Sequence, residues 1–194
     1  MAEEVEGGGA EPGAAERRRP GALALIVAIG VAALALLGFN LSITAPVAAG
    51  LAADDRNAAV TLVGYRSALL HPTEITLDLW AAGEGAAPLD LFRGLMQAAE
   101  ALKDRRFSQV TLARGGRTVF VLDGADFQAL GAAYAAGENP VYLIRTFPEK
   151  LHTANGQAAY GAWEGGWLGV LTRQLEDANA FAEAWATGSP PGEG

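Results

Sequence analysis

The sequence predicts an α+β domain of ferredoxin-like β-α-β-β-α-β order, with flanking N- and C-terminal helices and one transmembrane helix ahead of it. Three observations predict it. An uncharged apolar run fills Gly21–Phe39, a Gly-Gly pair separates two β-rich segments within 110–122, and segments of strand and helix period alternate from 73 to 147.

Residues 1–20 are expected to form a disordered cytosolic tail, because MAEEVEGGGAEPGAAE offers no large apolar group whose burial would offset the entropy of ordering. Arg17, Arg18 and Arg19 then abut the run at 21–39. Nineteen helical residues at about 1.5 Å each span roughly 28 Å, close to a bilayer's hydrocarbon thickness. Arginines touching one end favour keeping that end in the cytosol, and the nearest basic residue on the far flank is Arg56. This predicts a single-pass protein of a bacterial inner membrane, with its C-terminal domain in the periplasm. Val47-Ala48-Ala49 offers the competing reading, a small-residue cleavage site after a signal peptide. Ala24, Ala28 and Ala32 form a small-xxx-small row compatible with a homodimer of the helix.

Residues 40–56 are expected to be a linker, 57–187 the extracytoplasmic domain and 188–194 a disordered tail. Asn57 is placed as the cap of a helix reaching about Leu70, with Leu62, Val63, Leu69 and Leu70 on one side and His71-Pro72 ending it. Thr73–Trp80 alternates as a strand, with Ile75, Leu77 and Leu79 opposed to Thr76, Asp78 and Trp80. Leu89–Arg106 is a helix with Asp90 as its cap and Phe92, Leu95, Met96, Ala99 and Leu102 as its apolar stripe. Gly115-Gly116 turns a hairpin in which Val110 faces Val121 and Leu112 faces Val119. Asp123 caps a short helix through Phe127, Leu130 and Tyr134, ended by Gly137 and Asn139-Pro140. Val141–Phe147 is expected as a fourth strand. Leu168 to Trp185 carries Leu168, Leu171, Leu175, Ala178, Ala182 and Trp185 at helical spacing.

Composition narrows the function. Residues 40–194 hold 11 basic and 17 acidic side chains, a net of −6, and such a surface repels phosphate backbones, so no nucleic-acid partner is expected. Without cysteine the chain has no thiol nucleophile, thiolate zinc site or disulfide. Arginine outnumbers lysine twelve to two and alanine and glycine abound, a bias of GC-rich bacterial genomes. Its four serines lie outside any G-x-S-x-G or S-x-x-K setting, and its two histidines, His71 and His152, outside any metal-binding pair. No cofactor or metal site is therefore expected. An enzyme would have to rest on carboxylates such as Asp78, Asp123 and Glu164 meeting in three dimensions.

Two features invite a partner. Arg114 and Arg117 face each other across the hairpin turn, where like charges repel unless something acidic meets them: a partner's carboxylates, a lipid headgroup, or Glu and Asp within the chain. Trp163, Glu164 and Trp167 form an aromatic-acidic loop. The expected function is a membrane-anchored structural or assembly module. It would hold the bilayer through 21–39 and bind a protein partner through the arginine hairpin, the tryptophan loop or an open sheet edge. A small-ligand sensor or carrier is the alternative. In layout the chain is similar to single-span proteins with ferredoxin-like periplasmic modules in bacterial secretion and pilus assembly platforms, but it lacks their coiled-coil segment after the membrane.

Overall fold

A computed structural model describes residues 21–68, 71–83, 85–164 and 166–190. The tail expected at 1–20 lies outside the described residues, as do residues 191–194 of the tail expected at 188–194; Gly188, its first residue, is instead buried as the cap of the last helix. The chain divides into two compact units, residues 1–37 and 38–194.

Helix α1, Ala22–Ala52, is 31 residues long. By length and composition it is able to cross a membrane, and none of its most apolar window is buried. It does not stop at Phe39 as expected. The supposed linker continues the helix through Pro46, and within the second unit Ile43 and Val47 are fully buried. A ring without an N–H is tolerated there because tertiary packing outweighs the one lost helical bond.

A 3-10 turn at Asp55–Ala59 leads into β1, Val60–Ala68. This corrects the helix expected over 57–70. Val60, Thr61, Val63 and Tyr65 favour a pleated strand, and Gly64 would cost a helix interior about 1 kcal/mol relative to alanine. Gly64 is also where α1 crosses the strand. A Cβ on it would lie 3.0 Å from a Val47 methyl and 3.3 Å from Ile43, so the close approach needs a residue without one.

Strand β2, His71–Ala82, pairs antiparallel with β1 and buries Ile75, Leu77 and Leu79 as the alternation requires, but Thr76 and Asp78 on its opposite side are buried as well, where the alternation predicts an open face. Helix α2, Pro88–Ala101, carries the expected stripe; Phe92, Leu95, Met96, Ala99 and the following Leu102 are all buried. Its cap is Ala87 rather than Asp90. Asp90 sits three residues in, and its carboxylate reaches back to the Ala87 N–H at 2.8 Å. Strands β3, Gln109–Arg114, and β4, Arg117–Asp123, form the expected hairpin, with Gly115 and Gly116 at φ 57° and 81° as the two-residue turn demands. The register differs by one beyond the turn. Val119 is an extra residue in β4, so Leu112 faces Phe120 and Val110 faces Leu122.

Helix α3, Gly124–Ala135, follows Asp123 as expected. Residues 141–147 are not a strand; α4 occupies Pro140–Thr146. Asn139 accepts a bond from the Val141 N–H at 2.9 Å and Pro140 takes the first helical position, so Asn-Pro starts a helix as well as stopping one. Leu143 and Phe147, four apart, are buried on one side. After a 3-10 turn at Phe147–Lys150, the two-residue β5, Leu151–His152, pairs with β4. Helix α5, Trp167–Thr187, closes the fold. Its buried stripe is Gln174, Ala178, Phe181, Ala182 and Trp185, while Leu168 and Leu175 stay outside.

The protein is thus a mixed α+β fold with one five-stranded sheet in the order β1-β2-β3-β4-β5. The ferredoxin-like arrangement does not describe it. There the two strands joined by the first helix are split by a third; here β2 and β3, joined through α2, pair directly in parallel. Phe181 of α5 anchors the core, its ring centroid 5.0 Å from Phe92, 5.3 Å from Phe147, 5.4 Å from Phe120 and 5.6 Å from Trp185.

Candidate functional site

The arginine hairpin meets the chain itself. Arg114 and Arg117 are cross-strand partners, as expected. Arg114 donates from Nε to the Ala186 carbonyl at 2.7 Å, and from Nη1 to the carbonyls of Leu79 and Trp80 at 2.9 and 2.6 Å. Arg117 donates to the Gly188 carbonyl. The electronegative group that lets two arginines face one another is the C-terminal end of α5, whose last carbonyls lack helical donors and carry the negative end of the helix dipole.

The tryptophan loop is tied down as well. Trp163 donates from its indole to Asp177 at 2.5 Å, and the Arg173 guanidinium lies 5.6 Å from its ring centroid. Glu164 is exposed, and Trp167 is the first residue of α5. The three carboxylates weighed for catalysis stay apart. Asp78 lies among the central strands, Asp123 ends β4 exposed, and Glu164 belongs to the loop before α5.

Asp78 instead organises a cluster that sequence reasoning missed. It is 2% exposed, and its carboxylate accepts the Gly116 N–H at 2.9 and 3.1 Å, the Trp80 indole N–H at 3.0 Å and the Tyr65 hydroxyl at 3.3 Å. Burial, and then the nearby Asp78 carboxylate, push the Tyr65 phenol above its usual range, so it stays a donor. The pairing of β1 with β2 skips Trp80: Leu62 faces Leu79, and Thr61 faces Ala81. Trp80 is therefore the bulged residue, and it remains 59% exposed on a ring whose N–H is fixed. The signal was present in the alternation of 73–80, which puts a tryptophan on the polar face.

A second surface is apolar. Leu89, Phe92, Ile144, Leu175 and Ala178 line a cleft of about 270 Å³ between α2, α4 and α5. A separate open cleft of about 340 Å³ lies between α3 and α4, over Leu130, Leu143 and Phe147 with Lys150 and Asp126 at 3.8 Å from each other.

No known protein family, no curated protein and no solved structure matches the chain. Both sheet edges are partly met by the chain itself. On β1 the Asn40 side chain accepts the Arg66 N–H at 3.0 Å, and the Thr44 hydroxyl donates to the Gly64 carbonyl at 2.6 Å. Beyond β5, His152 bridges to Ala158. These contacts cover parts of each edge.

Proposed function

We propose that this chain is a membrane-anchored protein-interaction module of a bacterial envelope, with residues 21–39 in the bilayer, the N-terminus in the cytosol and the α+β unit outside. The observation that carries the reading is the apolar surface around α4 and α5. Seven large apolar or aromatic side chains stay exposed among the described residues outside α1, and five of them, Leu89, Val141, Tyr142, Leu168 and Leu175, belong to α2, α4 and α5. Such clustering marks docking surfaces, where scattered apolar residues do not. Leu168 and Leu175 lie seven apart on α5, and Val141 and Ile144 three apart on α4. That spacing suits an amphipathic helix of a protein partner laid into the cleft.

The anchor reading is supported by α1 itself. Ile43 and Val47 belong to the core of the second unit, so a processing cut at Val47-Ala48-Ala49 would remove both from the folded domain. Arg17–Arg19 support the cytosolic N-terminus.

The test is position-specific photocrosslinking in native membranes, with the photoreactive residue at Val141, at Leu175 or, as a control, at exposed Glu183. The expected result is one discrete protein adduct shared by Val141 and Leu175, missing from Glu183, and lost from the Val141 position when Leu175→Glu is added. Adducts of equal intensity from all three positions, or none from Val141 and Leu175, would reject the docking surface.

A further inference from the structure

Away from the apolar cleft, the Trp80 bulge is a built site with a chemistry of its own. By strand alternation Trp80 shares its face of the sheet with Asp78 and Thr76 of β2, and with Thr61, Val63, Tyr65 and Ser67 of β1. The indole is the most exposed large side chain of this face, at 59%. Its orientation is set from beneath, because the N–H is held by a carboxylate that is itself 2% exposed. Burying a carboxylate without an ion pair is costly unless donors surround it. Here three donors meet it: the Gly116 N–H reaches both oxygens, and the indole and the Tyr65 hydroxyl join it on Oδ2. The neighbouring cation is equally satisfied, since Arg114 donates to the carbonyls of Leu79, Trp80 and Ala186.

The side chains that β1 and β2 expose around the indole are polar or apolar but uncharged, and the one carboxylate beneath them is buried. This surface consists of a fixed aromatic plane, the exposed hydroxyl residues Thr61 and Ser67, and half-buried Val63 and Tyr65. A charged ligand would find no exposed counter-charge among these side chains. A purely aliphatic ligand would leave the hydroxyls unpaired. A pyranose ring fits both requirements, with C–H groups on one face to lie on an aromatic plane and hydroxyls at its rim to exchange hydrogen bonds. We propose that the Trp80 face binds a neutral oligosaccharide, with Trp80 as the stacking platform, Asp78 and Tyr65 as positioning residues, and Thr61 and Ser67 as rim contacts. This site is distinct from the apolar cleft and does not depend on its having a partner.

The experiment uses the full chain in phosphatidylcholine nanodiscs, which avoids sugar-based detergents. Chitotetraose and cellotetraose are titrated at millimolar concentration while the indole N–H resonances are followed by NMR, with Trp80 assigned by its absence in Trp80→Phe. A saturable shift of the Trp80 resonance with at least one sugar is expected. By calorimetry, affinity should fall by about tenfold or more in Trp80→Ala and by much less in Trp80→Phe, which keeps a ring. A hexa-arginine peptide and vesicles of anionic lipid serve as the charged probes. If neither sugar moves the Trp80 resonance, if the shift is produced by a charged probe instead, or if Trp80→Ala binds sugar as well as the parent, the proposal fails. Both variants take the indole N–H from the buried Asp78 carboxylate, so each should melt below the parent by a similar amount; should Trp80→Ala unfold, the Trp80→Phe comparison and the direct titration still decide.

Discussion

Arg114 and Ala186, 72 residues apart in the sequence, are joined by a 2.7 Å hydrogen bond from the guanidinium Nε to the last-turn carbonyl of α5. With two further bonds to Leu79 and Trp80, one side chain ties the β3–β4 turn, the end of β2 and the end of α5 together. Arg114→Gln should lower stability by about 1–3 kcal/mol, because several carbonyls lose a charged donor at once. Arg117→Gln should cost less, since Arg117 is exposed and reaches Gly188 alone. Chemical denaturation of each variant measures this. An Arg114→Gln protein as stable as the parent would show that the turn arginine is free to serve a partner.

The second half of α1 is part of the domain rather than a tether. Ile43→Ala should destabilise the second unit by about 2–5 kcal/mol, the usual cost of emptying a fully buried site. A chain beginning at Gly50 lacks Ile43 and Val47, and with them the Asn40 and Thr44 side chains that cover the β1 edge. It should fail to melt cooperatively and should aggregate through that uncovered strand. Calorimetry and light scattering of the truncated protein check the point; a sharp transition near that of the full chain would contradict it.

Asp90 predicts an acid limb in the stability of α2. The Ala87 N–H and then Arg93 hold its carboxyl below the ordinary carboxylate range. A lowered folded-state pKa contributes stability that is fully present above the unfolded value, about 3.9, and is lost as pH falls through the folded one. Asp90→Asn should remove this dependence and lose most against the parent near neutral pH. Melting temperatures of parent and variant should converge as the pH is lowered; parallel curves would deny the carboxylate its capping role.

The proposed orientation, N-terminus in the cytosol, rests on Arg17–Arg19. A reporter active only outside the cytosol, fused after Gly194, should be active, and replacing the three arginines by glutamate should mix the orientations. A silent fusion with a working cytosolic reporter would reverse the assignment.

Local chemistry alone determined much of this protein. The apolar run of α1, the stripe of α2, the Gly115-Gly116 turn, the start of α3 and the existence of α5 are all written in residues within a turn or two of one another, where periodicity, capping and positive φ act. Tertiary structure decided the rest. Residues 57–70 carry apolar spacing compatible with a helix, yet Val60–Ala68 became β1 because α1 and β2 enclose Gly64 from outside its own segment. Val141–Phe147 is ambiguous by pattern, and it became helical because Leu143 and Phe147 had a core to enter on one side. The partners of Arg114 lie up to 72 residues away, and Trp80 was displayed by a register skip against a strand the sequence had disguised. Short segments hold too little local free energy to choose between helix and strand, or to fix where a side chain points, so contacts between residues distant in the chain made those choices.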